Sequence, residues 1–254
     1  MAVSFDLSGE VVAVTGGGRG LGRAIAAGFA EAGATVAILG RDEGVLEAAA
    51  AEMNAAGGRV HAFAADVANE DDITAAAARL IEALGAPTVL VNNAGINPWY
   101  RRAEDTTLAE WRQIIDVNLT AAFHCSVLFA RPMLERRKGS IINITSVAAH
   151  IGLARSAAYC ASKGGLELLT KSMAIDWAGR GVRVNTVSPG YFETDLTAGL
   201  QANASLADKV IAHTPIGRFG TPDELVGACL YLASDASSYV TGQSIRVDGG
   251  FTAS

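Results

Sequence analysis

The chain has 254 residues, half of them apolar and 18% charged, which excludes a disordered chain and leaves ample length for a core that needs no disulfide or metal staple. No strict glycine repeat points to a fibre. The formal net charge is −6, from 20 basic and 26 acidic residues; it argues against a nucleic-acid binder but leaves room for a small anionic ligand in a local basic pocket.

In chain order, the short apolar run Val11–Thr15 reads as a strand buried on both faces, followed by a glycine-rich turn and a helix over Leu21–Ala32. Strands at Thr35–Leu39, Val60–Ala64 and Thr88–Asn92 continue the pattern, with helices over Asp42–Ala56 and Glu70–Leu84 between them. A long helix is predicted over Leu108–Arg137, opened by a Thr107/Glu110 capping box and kinked or ended near Pro132. Strand Ser140–Ile144, helix Ala158–Ala178 and strand Val182–Val187 come next. The stretch 191–218 has no strand pattern and reads as an insertion. A helix over Pro222–Ala233, with Thr221 and Glu224 as its capping box and Pro222 in its first position, leads to the strand Ser244–Val247. Such alternation predicts one doubly wound α/β domain over residues 1–254, with a seven-stranded parallel sheet, helices on both faces and right-handed crossovers. The insertion falls beyond the carboxyl ends of the strands, where such folds hold ligands.

The cysteines, Cys125, Cys160 and Cys229, are odd in number and show no CxxC spacing, so neither a disulfide framework nor a metal site is expected. The first residues lack a cationic head with a long apolar run, and no stretch of 18 apolar residues occurs. The expectation is a soluble, cytoplasmic protein with no membrane partner.

After the first strand, Thr15 is followed by Gly16, Gly17, Gly18, Arg19, Gly20, Leu21 and Gly22. A strand, a tight glycine turn and a helix start make a phosphate cradle, because glycine lets the backbone come close and helix N–H groups face the anion. The spacing is not GxGxxG but T-G-x-x-x-G-x-G.

That spacing resembles the short-chain dehydrogenase/reductase family, and the rest of the chain follows it in order. Asn92-Asn93-Ala94-Gly95 ends the fourth strand, Asn118 lies in the following helix and Ser146 follows the fifth strand. Tyr159-Cys-Ala-Ser-Lys163 opens the next helix, and Pro189-Gly190 follows the sixth strand. The resemblance covers essentially the whole chain. It implies a single Rossmann-type domain that binds a nicotinamide dinucleotide. The end of the second strand bears on which one. Relatives that use NAD carry an acid where this chain has Gly40, and Arg41 stands where a base often favours the 2′-phosphate of NADP. Arg19 can reach the same phosphate. NADP is therefore expected; in the alternative, Asp42 takes the ribose hydroxyl of NAD and Arg41 is a solvated loop charge. The resemblance also implies that Asp66 and Val67 flank the adenine, that Asn93 and Ala94 line the adenosine ribose side, and that Thr194 holds the nicotinamide end.

Tyr159 and Lys163 are four residues apart on a helix and share a face. A free phenol has a pKa of about 10, and a neighbouring cation favours its ionised form. Lys163, together with the positive nicotinamide ring of the oxidised cofactor, is expected to lower the pKa of Tyr159 in this way, and Lys163 to hold the nicotinamide ribose. The resemblance gives Ser146 the substrate oxygen and Asn118 a water that links Lys163 to solvent.

The substrate pocket is expected to be rimmed by Asn97, Trp99, Tyr100, Arg101, Arg102, His150, Leu153, Arg155, Tyr191 and Phe192. Arginine, histidine and aromatics together do not suit a uniformly apolar substrate. The run from Gly190 to Asp195 and the ending from Asp235 to Gln243 look most like the sugar-acid and polyol branch of the family, including gluconate 5-dehydrogenases. Arg101 or Arg102 would then hold a carboxylate. A reductase of 3-oxoacyl thioesters looks similar over the same motifs. A non-catalytic dinucleotide sensor would be expected to have lost Ser146, Tyr159 or Lys163, and all three are present. Apolar residues around more than one side of the helices carrying Phe123, Val127, Leu166 and Met173 predict a homotetramer.

Overall fold

The structure, a computed structural model, describes residues 5–253; Met1–Ser4 and Ser254, which the expected domain includes, lie outside the described residues. Seven strands form one parallel sheet in the order β3-β2-β1-β4-β5-β6-β7. They are β1 (Val11–Thr15), β2 (Thr35–Gly40), β3 (Arg59–Ala64), β4 (Val89–Asn92), β5 (Gly139–Ile144), β6 (Val182–Pro189) and β7 (Ser244–Val247). The order reverses between β1 and β4, and a crevice opens at their carboxyl ends.

Helices cover both faces because successive strand residues point to opposite sides. On one face Val12, Val14, Val36 and Ile38 pack with Ile25 and Phe29 of α1 (Gly20–Glu31), Leu46 of α2 (Glu43–Ala55) and Leu225 of a helix over Asp223–Ala233. On the other, Ala13, Leu39, Leu90 and Ile141 pack with Ile73 and Leu80 of α3 (Glu70–Leu84). Asp42 caps α2 through the Val45 N–H, and Asn69 caps α3 through those of Asp71 and Asp72.

The long helix runs unbroken from Leu108 to Arg136 but is not uniform. It comprises α4 (Leu108–Ile115), a π turn over Asp116–Thr120 and α5 (Ala121–Arg136). The Thr107/Glu110 capping box forms as expected. Pro132 does not end the helix, which continues to Arg136 and stops where Arg137 turns left-handed at φ 54°. Pro132 forgoes one N–H bond, and Phe129 and Met133 on either side of it hold the helix against the sheet. With 29 residues, this helix is long and apolar enough by length and composition to cross a membrane. In the fold its Cys125, Phe129 and Met133 are core residues against the sheet.

Next comes α6 (Ala157–Ala178). The 191–218 insertion holds two short helices that the sequence reading left irregular, α7 (Ala198–Gln201) and α8 (Ala204–Ala212), the second capped by Asn203. The last helix is α9 (Asp223–Ala233). Its expected capping box is half made. Glu224 accepts from the Thr221 N–H at 2.9 Å, while the Thr221 hydroxyl, 3.4 Å from that carboxylate, donates to it rather than capping the backbone.

Candidate active site

The turn after β1 brings its glycines against the loop after β4. A side chain on Gly22 would place its Cβ 2.2 Å from the Gly16 carbonyl oxygen and 2.4 Å from Asn93 Nδ2. Gly16 itself has φ +67°, and Gly20 has φ +53°. Asn93 Nδ2 donates to the carbonyls of Thr15 and Gly16, while the Thr15 hydroxyl accepts from the N–H groups of Asn93 and Ala94. Turn and loop are thus one rigid cradle. The residue before α1, Arg19, gives no side-chain cap, and the first turn of α1 carries no acidic residue. The free N–H groups of Gly20, Leu21 and Gly22 therefore suit an anion, and the cradle fits a dinucleotide pyrophosphate.

Of the other expected dinucleotide residues, Thr194 stands against the cradle, with its Cβ 3.7 Å from where a Gly20 Cβ would stand. Gly190 bonds to the Val247 carbonyl and packs on the Asp248 backbone, next to Pro189 at the end of β6. Val67 is buried beyond β3, and the Asp66 carboxylate accepts from the Ala68 N–H. Arg41 is exposed at the end of β2. Asp42 Oδ1 is held by the α2 cap, and its Oδ2 stands 4.0 Å from Arg19.

Ser146, Tyr159 and Lys163 meet at the carboxyl end of β5. The Ser146 hydroxyl lies against the Tyr159 phenol and favours its ionised form, but burial dominates and pushes the phenol up to about 12. Within the protein alone, the phenol therefore lies above its ordinary value. The Lys163 ammonium lies 5.8 Å from the Tyr159 ring centroid and donates to the Ile144 carbonyl at 2.9 Å. Its own burial lowers it to about 8, so as a weakened cation it does not offset the desolvation of its neighbour.

Asn118 sits in the π turn, and its side chain is already committed. Oδ1 accepts from the Ile96 N–H, while Nδ2 donates to the Ile96 carbonyl and to Ser162 Oγ. It clamps the loop after β4. Gly95 makes the close approach possible, since a Cβ there would stand 3.3 Å from Lys163 Nζ and 3.4 Å from Asn118 Oδ1.

The expected substrate residues divide. Asn97, Trp99 and Arg155 share a cavity with Tyr159 and Glu110. Tyr100, Arg101, Arg102, Asp105 and Arg155 line an open depression beside it. Arg101 is 3.2 Å from Glu110 and Arg102 is 3.9 Å from Glu104, whereas no ion pair of Arg155 occurs among the described residues. Arg155 has φ +61°, a left-handed conformation that a side chain rarely adopts. Tyr191 packs edge-on to Phe219 and Phe251. His150, Leu153, Tyr191 and Phe192 lie apart from the cavity lining. His150 Nε2 is held by the hydroxyls of Ser188 and Ser244. Phe192 is buried against Gly220. Sequence reasoning missed the part of Glu110, which ties Arg101 to the α4 cap, and the unpartnered buried oxygen of Asn97. The capping box was the available signal for Glu110; nothing in the sequence signals the second.

A family model described as enoyl-(acyl carrier protein) reductase matches residues 16–252. The 2-(S)-hydroxypropyl-CoM dehydrogenase 3 of Xanthobacter autotrophicus is 43% identical over 255 residues, 99% of this chain and all of that protein. A 3-oxoacyl-[acyl-carrier-protein] reductase of Vibrio cholerae is 40% identical over 249 residues, 97% of this chain and 98% of that one. The crystal structure of a gluconate 5-dehydrogenase from Burkholderia cenocepacia in complex with NADP and tartrate superposes with a TM-score of 0.95 at 39% identity, over 98% of each chain. With the glycine cradle, the Ser146–Tyr159–Lys163 cluster and the parallel sheet all in place, the chain belongs to the short-chain dehydrogenase/reductase family.

Proposed function

We propose that the chain is an NADP(H)-dependent oxidoreductase that interconverts a secondary alcohol and a ketone on a small hydroxylated substrate, a sugar acid or polyol. The observation that carries this reading is the meeting of Ser146, Tyr159 and Lys163 beside the glycine cradle at the switch point of the sheet. The NADP-bound gluconate 5-dehydrogenase neighbour supports both the cofactor and the substrate class.

One domain serves cofactor and substrate. Gly16, Gly20, Leu21 and Gly22 hold the pyrophosphate, and Arg19 and Arg41 the 2′-phosphate. Asp66, Val67, Asn93 and Ala94 enclose the adenosine. Tyr159 and Lys163 take the nicotinamide ribose, and Pro189, Gly190 and Thr194 the nicotinamide end. When bound, the nicotinamide supplies or takes the hydride and, in its oxidised form, brings a positive charge. That charge favours the phenolate of Tyr159, which burial alone disfavours.

The chain's own residues move the proton. Ser146 hydrogen-bonds the substrate oxygen. In reduction the Tyr159 hydroxyl gives its proton to that oxygen; in oxidation the phenolate removes it. Asn118 acts on this geometry by fixing the loop at Ile96. Arg155, free of the carboxylates that hold Arg101 and Arg102, takes the substrate's negative end. We place the protein in the cytoplasm as a homotetramer, because a reducing compartment suits three unpaired thiols.

The thioester reading is kept as the second, favoured by the Vibrio relative and by the three arginines around one depression. A panel of keto sugar acids, ketoses and 3-oxoacyl thioesters, followed through the absorbance of reduced NADP, separates the two. Faster turnover of keto sugar acids or ketoses supports the proposal. Turnover of thioesters alone overturns its substrate class, and no turnover of any carbonyl overturns it entirely.

A further inference from the structure

Asn97 is only 7% exposed, and its Oδ1 has no hydrogen-bond partner in the structure. A buried acceptor left without a donor is unfavourable by about 1–3 kcal/mol, so such atoms in a native fold ask for an explanation. The loop cannot simply turn away to solvent, because Ile96, its neighbour, is clamped at both N–H and carbonyl by Asn118.

The cavity that Asn97 lines also receives Tyr159 on one side and the apolar walls of Trp99 and Ile114. The carboxylate in its lining, Glu110, already receives the Thr107 N–H at 2.9 Å and hydroxyl at 3.1 Å and pairs with Arg101 at 3.2 Å. Asn97 Oδ1 is left as an unmet acceptor on a residue that lines the same cavity as Tyr159.

We infer that Asn97 Oδ1 is a specificity contact that accepts a hydrogen bond from a substrate hydroxyl on a carbon next to the reacting one. This rests on the oxidoreductase reading above and deepens it. A 3-oxoacyl thioester has methylenes on both sides of its ketone and offers no donor there. A keto sugar acid carries a hydroxyl at that place. A site built to receive a hydroxyl discriminates strongly against an analogue that lacks it, since its own buried acceptor is then left unpaired.

The test compares wild type, Asn97→Ala and Asn97→Leu on 5-ketogluconate and on 5-oxohexanoate, which has the same chain length and carboxylate without the hydroxyls. Reduced NADP is the reductant, and the readout is the ratio of kcat/KM for the two ketones, so a general loss of activity cancels. Wild type should favour 5-ketogluconate, and both variants should lower that ratio by about 10- to 100-fold. A wild type that reduces both ketones equally, or variants that keep the wild-type ratio, would overturn the inference and leave the oxidoreductase reading intact. A wild type that reduces neither ketone nor any other carbonyl in the wider panel would remove both.

Discussion

Asn118 grips both backbone groups of Ile96: its Oδ1 accepts from the Ile96 N–H at 2.8 Å, and its Nδ2 donates to the Ile96 carbonyl at 2.9 Å. The same Nδ2 reaches Ser162 Oγ at 3.2 Å, and Ser162 donates to the Tyr159 carbonyl at 2.7 Å. The π turn over Asp116–Thr120 thus joins the loop after β4 to the helix that carries Tyr159 and Lys163.

Asn118→Ala should loosen this join. It removes three hydrogen bonds, one buried and two part-buried, each worth about 1 kcal/mol, and strands the Ser162 and Ile96 groups. Thermal unfolding should shift down by roughly 2–4 °C per kcal/mol for a chain of this size. Asn118→Asp should not restore it, because a carboxylate oxygen would then face the Ile96 carbonyl. An Asp variant with wild-type melting temperature and KM would show that the clamp is dispensable.

The buried lysine gives a pH signature without any turnover. Lys163 is lowered from 10.5 to about 8 by desolvation. Between those values an unfolded chain holds a proton that the folded chain has released. The lysine's contribution to stability therefore grows as pH rises from about 8 towards 10.5 and is at its least below 8. The melting temperature of wild type relative to Lys163→Met should move in favour of wild type between about pH 7 and about pH 10. A constant difference across that window would contradict the burial of a charged ammonium.

NADP should be preferred to NAD through Arg41 and Arg19. A hydrogen bond to a charged group is worth roughly 1.5–3 kcal/mol, or about ten- to a hundredfold in affinity. Because Arg41 is exposed, the lower part of that range is expected at physiological salt. Arg41→Ala should weaken NADP binding and leave NAD nearly unchanged in fluorescence titrations. Equal losses for both would assign Arg41 to the solvated loop.

The helix faces away from the core should be buried in a second copy. Leu168 is 69% and Ile175 81% exposed, two turns apart on α6, and Phe123 is 48% exposed on α5. Apolar patches of this kind mark interfaces. Light scattering should give a tetramer for wild type and a smaller species for Leu168→Glu with Ile175→Glu. A wild-type monomer at micromolar concentration would exclude the assembly.

Most of the fold was legible in the sequence. Each strand lies within two residues of its expected bounds, and the central strands are near-continuous apolar runs because they are buried on both faces, while the edge strands β3 and β7 are only partly buried. The cradle was legible too, since only glycine fits at Gly22. Other features were not. The π turn adds a residue to a helix without changing its composition, so periodicity passes over it. The left-handed backbone of Arg155 lacks the glycine that usually announces one. The value of about 12 at Tyr159 depends on desolvation by the assembled fold, whereas the sequence displays only the spacing to Lys163. The unmet oxygen of Asn97 is likewise a property of three dimensions.

The central claim is that the Tyr159 hydroxyl moves the proton. Tyr159→Phe keeps the ring and removes only that group. With reduced NADP and the fastest carbonyl substrate of the panel, turnover should fall by ~10²–10⁴, while the affinity for reduced NADP, read by fluorescence, stays near that of wild type. In the wild type, oxidation should speed up with rising pH as the phenolate forms. A Phe variant with near wild-type turnover would contradict the account.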